Sequence, residues 1–261
     1  MEYTDITYAA EEGIATITIN RPDRLNCFRG RTIEELLHAF KCAWADRTVG
    51  VVIFTAAGDK AFCVGGDQKE MQAKGSYGTS ANGLWEIDDL HCVIRDIPKP
   101  VIAAVNGFCI GGGHVLHVLC DITVAAEHAK FGQAGPKVGS FDAGWGTAYL
   151  ARIVGEKRAR EIWFFCQQYG AQQALEWGLV NRVVPKERLI EEARTLARQA
   201  LALSPTALRF LKHAFNADTA HVFGQAKMAA DGLAAFVNSP EASEGRTAFL
   251  EKRPADFSKF R

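Results

Sequence analysis

The chain has 261 residues, enough for a substantial core in one large domain or in a domain with a smaller appended part. Its 30 basic and 30 acidic side chains cancel, which removes any long-range pull toward nucleic acid or anionic lipid and leaves only local sites for a polyanion. The 7 scattered cysteines form no C-x-x-C pair and no apolar run reaches membrane-spanning length, so we expect reduced thiols, a soluble cytoplasmic protein, no metal, and neither a nucleic-acid nor a membrane partner.

In chain order, Ile14 to Ile19 alternates as a half-buried strand should, with Ala15, Ile17 and Ile19 on one face. After the turn Asn20-Arg21-Pro22-Asp23, Thr32 and Glu35 read as a T-x-x-E capping box, opening a helix whose apolar stripe is Ile33, Leu36, Leu37, Phe40 and Trp44. Val51 to Thr55 is a short apolar run of buried-strand type, followed by Ala57-Gly58-Asp59 and the segment AFCVGGD at Ala61 to Asp67. The polar, glycine-bearing stretch Gln72 to Gly83 predicts a mobile surface loop that lies over a substrate. A helix through Leu90 to Arg95 stops at Pro98, and Val101 to Val105 and Ile122 to Ala126 are further strands.

Alternating strands and helices make the fold α/β up to about Val184. Beyond Glu187 the period is helical: Leu189, Ala193, Leu196, Ala200 and Leu203 mark one helix stopped by Pro205, with more around 208–215 and 222–237. We therefore divide the chain into a core, 1–186, and a helical region, 187–261, serving as lid or oligomer interface.

The chemistry concentrates between Ile110 and Gly146. Gly111, Gly112 and Gly113 separate an apolar strand from the helical stretch His114 to Leu119, so backbone N–H groups without intrahelical partners face outward at that helix start. Such donors suit a phosphate or a developing oxyanion, although three glycines are equally compatible with a plain tight turn. Asp142, in GPKVGSFDAGWG, is a general-base candidate whose bland alternative is a turn aspartate before Gly144. His114 and His117 lie three apart without a third ligand, which favours packed or hydrogen-bonded rings over a metal site.

Taken together, AFCVGGD, PKPVIAAVNGFCIGGGH at Pro98 to His114 and CDITVAAEHAKFGQ at Cys120 to Gln133 resemble the crotonase (enoyl-CoA hydratase/isomerase) superfamily over essentially the whole chain. The resemblance implies an α/β spiral of ββα units carrying the acyl-CoA site, and a helical C-terminal trimerisation region that forms a homotrimer or homohexamer. It implies no prosthetic group, with coenzyme A entering as part of the substrate. It matches the N–H groups of Gly66 and Gly112 with an oxyanion hole for a thioester enolate, and Val115 and Gly135 with the two catalytic glutamates of hydratases. Lacking both carboxylates, the chain is not expected to be a classical enoyl-CoA hydratase.

VGSFDAGWG, ARIVGEKRAREIW and EGRTAFLEKRPADFSKF are similar to the branch that contains 2-ketocyclohexanecarboxyl-CoA hydrolase and 1,4-dihydroxy-2-naphthoyl-CoA synthase. Asp142 is then the base and Ser140 a hydrogen-bonding partner for the ketone. Segments 27–30, 90–103, 204–208 and 216–221 lean toward the ring-opening hydrolase, whereas GGGHVLH and VGSFDAGWG lean toward the ring-closing synthase. A C-terminal tyrosine of both relatives is Val237 here, so its role is expected to fall to Tyr77 in the 72–83 loop or to water. Gln133 and Trp163 match two of three side chains that hold a bicarbonate base beside Gly135 in many synthases, but the third, a threonine, is Ala134. Arg24, Leu25 and Cys27 are matched with the adenine and pantetheine wall, and Phe249 and Lys252 with groups that reach the coenzyme from the C-terminal region; read alone, Lys252 is an ordinary surface lysine. A noncatalytic CoA- or RNA-binding protein of the same fold is the competing class.

Overall fold

β-Branched runs become strands and amphipathic runs become helices along residues 1–261 of the computed structural model. The order is β1 (Ile6–Glu11), β2 (Ile14–Ile19), α1 (Gly30–Ala45), β3 (Val51–Ala56), β4 (Ala61–Cys63), α2 (Gln68–Lys74), α3 (Ile87–Asp96), β5 (Val101–Val105), β6 (Phe108–Ile110), α4 (Gly112–Val118), β7 (Ile122–Ala126) and β8 (Lys130–Gly132). A π-helical turn at Trp145–Tyr149 then leads into α5 (Leu150–Val154), α6 (Glu156–Phe165), β9 (Gln168–Gly170), α7 (Ala171–Glu176) and β10 (Arg182–Val184). Four helices finish the chain: α8 (Leu189–Leu201), α9 (Pro205–Ala217), α10 (Val222–Phe236) and α11 (Pro240–Glu251). No helix is long and apolar enough to cross a membrane.

The strands divide between a six-stranded sheet, β1-β2-β3-β5-β7-β10, and a four-stranded sheet, β4-β6-β8-β9. Only the β1/β2 and β8/β9 pairs are antiparallel. Each ββα turn of the spiral contributes one strand to each sheet: β3 and β4, then β5 and β6, then β7 and β8. The apolar run Val101–Val105 therefore does not feed the glycine turn directly, as its sequence suggests; β6 intervenes and delivers the chain to Gly111.

Buried on both faces, β3 explains its unbroken apolar sequence. Val52 and Phe54 join the main core, in which Phe54 meets Phe40 and Phe62 edge-to-face at 5.5 and 5.2 Å. Val51 and Ile53 point the other way, onto Leu189, Ala193 and Ala197 of α8. That helix thus covers the sheet of its own chain. The helices beyond it carry the exposed apolar groups Phe210, Leu211, Phe215 and Met228.

Several local expectations change. Helix α1 starts at Gly30, two residues before Thr32, and Thr32 Oγ1 accepts the Arg29 N–H at 3.2 Å. Glu35 closes no capping box: its buried carboxylate accepts the Thr4 and Asp5 N–H groups at 3.0 and 2.8 Å, anchoring the chain N-terminal to β1. Trp44 is 42% exposed, because the stripe has rotated away from the core by the last turn. Leu203 lies past the end of α8 and is exposed. Gln72, Ala73 and Lys74 complete α2, and the rest of the 72–83 stretch is tied down, with Gly30 donating to Tyr77 O at 2.7 Å and Ser80 buried.

Asp5 links these parts. Its carboxylate accepts two bonds from Arg29 at 2.8 Å and one from Thr32 at 2.6 Å, and lies 3.5 Å from Arg21. Burial disfavours the charge, but those hydrogen bonds and the two guanidinium charges outweigh it and hold the carboxyl below the usual range. A depressed folded-state value means stabilisation that is complete above the unfolded aspartate range and lost as pH falls through the folded value. Asp5→Asn should cost about 3 kcal/mol in urea unfolding at neutral pH, because a buried guanidinium loses its counter-charge. The gap to the wild type should narrow below about pH 4; a gap independent of pH would show that the charge is not what matters.

Candidate active site

Two glycine loops meet at the junction of the sheets. Gly111, at φ 59°, turns the chain from β6 into α4, and Gly65, at φ 88°, turns it out of β4. A Cβ on Gly65 would stand 3.1 Å from Gly112 N, one on Gly113 would strike Cys63 O at 2.1 Å, and one on Gly112 would strike Phe28 Cζ at 2.5 Å. The glycine run is therefore a close-packing requirement as well as a turn. Gly112, first residue of α4, has no intrahelical acceptor for its N–H. The Gly66 N–H is also uncommitted: in the neighbouring bridge Phe28 donates to Gly65 O and Asp67 donates to Phe28 O, both at 2.9 Å. Two free donors thus stand on adjoining backbone segments. Since α4 is only seven residues long, these local N–H groups rather than a long helix dipole carry the electrostatics.

Aromatic rings wall the donors. Tyr77 lies against Gly66, 2.7 Å from where its Cβ would be, and stacks tilted on Trp85 at 5.5 Å; Phe28, over Gly112, is 6.1 Å from the same indole. Tyr77 Oη accepts from Gln68 Nε2 at 2.9 Å, and burial raises its phenol above the ordinary value, partly offset by that bond and by the charge of Arg246. Arg246, from α11, escaped the sequence reading; its Nη1 reaches Val237 O at 3.3 Å, so α11 closes over this region within its own chain.

Asp142 sits just ahead of the π turn. Its Oδ1 accepts the Gly144 and Gly146 N–H groups at 2.9 and 3.0 Å, while Oδ2 receives no bond from the protein. A methyl placed on Gly146 would be 3.0 Å from Val115 Cγ2, 3.0 Å from Trp163 Cζ2 and 3.1 Å from Asp142 Cγ. Asp142 thus enters beside Val115. The aspartate is a turn residue, as its bland reading held, and it also presents a free carboxylate oxygen in a half-buried setting. Arg95 braces the turn, its guanidinium 4.7 and 4.4 Å from the Trp145 and Tyr149 ring centres and donating to Thr219 at 2.7 Å.

Gly135 and Ser140 are brought together: Ser140 N donates to Gly135 O at 2.9 Å, and a Cβ on Gly135 would lie 2.6 Å from Ser140 O. Gln133 Nε2 approaches His114 Nδ1 at 3.3 Å and the Trp163 indole donates to Gly146 O, so both groups matched with bicarbonate donors are engaged inside the protein. His114 and His117 are fully buried, edge-to-face at 5.0 Å, with His117 on Thr123 Oγ1 at 3.1 Å. Burial holds His114 at about 3 and His117 well below the ordinary value, leaving both neutral. Val237 directly follows α10, whose last residue Phe236 packs on Phe141 at 5.7 Å, so it stands near the Asp142 segment without any polar atom to offer from its side chain.

The whole chain resembles known proteins. Residues 9–260 match the family described as enoyl-CoA hydratase/isomerase. The chain belongs to that family. Solved relatives include an enoyl-CoA hydratase from Mycobacterium avium subsp. paratuberculosis K-10, with 29% identity, TM-score 0.87 and coverage of 98% of this chain and 99% of that one. A carnitinyl-CoA hydratase from Mycobacterium avium shows 29% identity and TM-score 0.86 over 99% and 100% of the chains. An enoyl-CoA hydratase/isomerase from Xanthobacter autotrophicus Py2 shows 33% identity and TM-score 0.83 over 96% and 94%. As a member of this family, the protein is an acyl-CoA-processing enzyme of the crotonase fold.

For the coenzyme, Leu25, half-exposed at φ 50°, edges a cleft of about 550 Å³ that also includes Asp59, Lys60, Phe108, His128, Lys130 and Lys186, with Lys186 paired to Asp59 at 2.9 Å, whereas Cys27 is buried outside it. The Cys27 thiol donates to Arg24 O at 2.9 Å and is pushed up to about 11, mainly by burial and then by Asp67, so it is a neutral wall and no nucleophile. Arg24 is exposed. Phe249 and Lys252 stand exposed at the outer end of α11. The lysines of the cleft were missed in the sequence because they come from three separate segments. Lys60→Ala combined with Lys130→Ala should weaken CoA binding about tenfold by calorimetry, with a smaller salt dependence than the wild type; an unchanged affinity would place the coenzyme elsewhere.

Proposed function

We propose that the enzyme opens the ring of a cyclic β-ketoacyl-CoA by hydrolysis, through the enolate of the thioester. The observation that carries this reading is the Asp142 carboxylate, with one oxygen fixed by two N–H groups and the other free, beside Val115. The solved relatives bear hydratase names, but at the two positions matched with hydratase glutamates this chain has an aliphatic side chain and a glycine without room for one. A single base without a paired acid suits attack by water on a ketone, followed by expulsion of a stabilised carbanion, better than addition of water across an alkene.

In this mechanism the CoA phosphates lie among Lys60, Lys130 and Lys186, and the thioester oxygen points to the N–H groups of Gly66 and Gly112. Asp142 takes a proton from water, and the hydroxide adds to the ring ketone, whose oxygen is held by Ser140. Collapse of the adduct breaks the bond between the former ketone carbon and the carbon α to the thioester. The electron pair passes into the thioester enolate, and two aimed donors in a water-poor pocket contribute on the order of 3 kcal/mol or more to that step. Protonation of the α carbon completes addition of one water. With Val237 offering no phenol, Tyr77 is the hydroxyl nearest the oxyanion loop, over Gly66. Phe249 and Lys252 would complete the coenzyme site from a neighbouring copy in a homotrimer or homohexamer. Bicarbonate has no part in the scheme, because Gln133 and Trp163 are already engaged.

Ring closure of Dieckmann type through the same enolate is the second reading, favoured by the segments around Gly111–Gly113 and Asp142. Mass spectrometry of products separates the two: gain of one water by 2-ketocyclohexanecarboxyl-CoA supports opening, and loss of one water from succinylbenzoyl-CoA supports closure. Asp142→Asn should lower turnover by about a thousandfold or more while CoA affinity stays within a factor of about two; wild-type turnover in that variant would remove the base from the scheme.

A further inference from the structure

One aromatic side chain joins the two loops that carry the proposed base and its hydroxyl partner. Trp163, on α6, is 7% exposed, and its indole N–H donates to Gly146 O. Gly146 N in turn donates to Asp142 Oδ1 at 3.0 Å, so the residue that receives the indole bond is one of the two that hold the carboxylate. The ring also fills the space around that bond. A methyl on Gly146 would lie 3.0 Å from Trp163 Cζ2 and 3.1 Å from Asp142 Cγ, while a methyl on Gly135 would lie 3.1 Å from Trp163 Cζ3 and 2.6 Å from Ser140 O. Cζ2 and Cζ3 flank one corner of the six-membered ring, so a single edge of the indole separates the Asp142 turn from the Gly135–Ser140 loop.

Both sides of this wedge are fastened. Lys137, in the Gly135 loop, donates to Cys166 O just beyond α6 at 2.9 Å, and Ser140 N donates to Gly135 O at 2.9 Å. On the other side, Arg95 grips the π turn through the Trp145 and Tyr149 rings. The hydrogen bonds that Asp142 accepts within the protein come from the Gly144 and Gly146 N–H groups alone. Its aim is therefore the aim of the turn, and the indole sets where that turn stands relative to Ser140.

We propose that Trp163 is the positioning residue for Asp142, its indole fixing the spacing and direction of the carboxylate relative to Ser140. The role rests on the ring-opening reading, in which Asp142 takes a proton from water while Ser140 holds the oxygen of the ring ketone. Water must reach Oδ2 and the ketone carbon at once, and a displacement of about 1 Å is enough to lose such near-attack geometry. The indole acts on this geometry through the backbone: it anchors Gly146 by one bond and keeps Gly135 at a fixed separation by contact. The N–H that the resemblance matches with a bicarbonate donor is committed here to the chain behind the base.

Trp163→Phe keeps an aromatic ring between the two glycines and removes the donor. Expected is a fall in kcat of about tenfold or more, with KM for the ring substrate within about a factor of two. The acid limb of the kcat–pH profile should move up by about half a pH unit, because a carboxylate whose N–H donor is loosened holds its proton more tightly. A purely structural tryptophan would change thermal stability and leave the limb in place, and an unmoved limb or an unchanged kcat would overturn the proposal. Trp163→Tyr, which retains more of the ring volume, takes the same readings should the phenylalanine variant fail to fold. A second measurement needs no substrate. The carboxyl carbon resonance of Asp142, assigned by its absence in Asp142→Asn, should titrate at higher pH in Trp163→Phe than in the wild type; an unmoved midpoint would overturn the positioning role. If the wild type turns over neither ring substrate, the ring-opening reading fails, and this titration decides the role of Trp163 on its own.

Discussion

The close contact of Gly65 with Gly112 governs the architecture around the site. Two loops from different turns of the spiral touch without side chains between them, and the Gly113 position lets α4 press against the Cys63 carbonyl. Because the backbones carry the contact, their N–H groups are held by the packing of both sheets rather than by one flexible loop. Donors fixed in this way need no reorganisation when charge develops on a substrate oxygen, which is what makes such an arrangement effective. The strands β4 and β6 end at this point, so the second sheet can be regarded as the jig that brings the two loops together.

A polar network secures one side of this contact. Asp67, directly after Gly66, caps α2 through the Lys69 and Glu70 N–H groups and binds Arg21 at 3.0 Å. Arg21 lies 3.5 Å from Asp5, which binds Arg29 and Thr32 at the start of α1. The loop bearing the first donor is therefore coupled to the chain just ahead of β1, to the loop that carries Arg21 and to α1. Such buried charges stabilise little in net terms, yet removing any one leaves its partners unpaired, so the network fixes a single loop geometry.

Much of the spiral could be read from the residues. The runs at Ile14, Val51, Val101 and Ile122 are strands as expected, because alternation and continuous β-branched character reflect burial directly. Three-residue strands such as β4, β6, β8 and β9 leave no period to detect and were invisible. Thr32 caps α1 from its third position, accepting the Arg29 N–H while donating to Asp5, whereas Glu35 is taken from the capping pattern by the Thr4 and Asp5 backbone. At the site, the glycines and Asp142 stood out through motif and resemblance. The Lys60, Lys130 and Lys186 cluster and the contact of Arg246 with the Val237 carbonyl did not, because each depends on elements whose approach only folding defines.

The crowding at Gly135 also bears on how such a site can change over generations. A side chain there would meet the Ser140 carbonyl at 2.6 Å, and that carbonyl belongs to the loop that leads into Asp142. A glutamate at Val115 alone would place a second negative charge against Asp142, raising the affinity of one of them for protons without supplying the opposite partner. A glutamate at Gly135 needs more than its own substitution: the loop backbone must retreat first, and retreat displaces the aspartate. The loop acts as a ratchet, separating lineages of one fold by a valley in which neither chemistry is served.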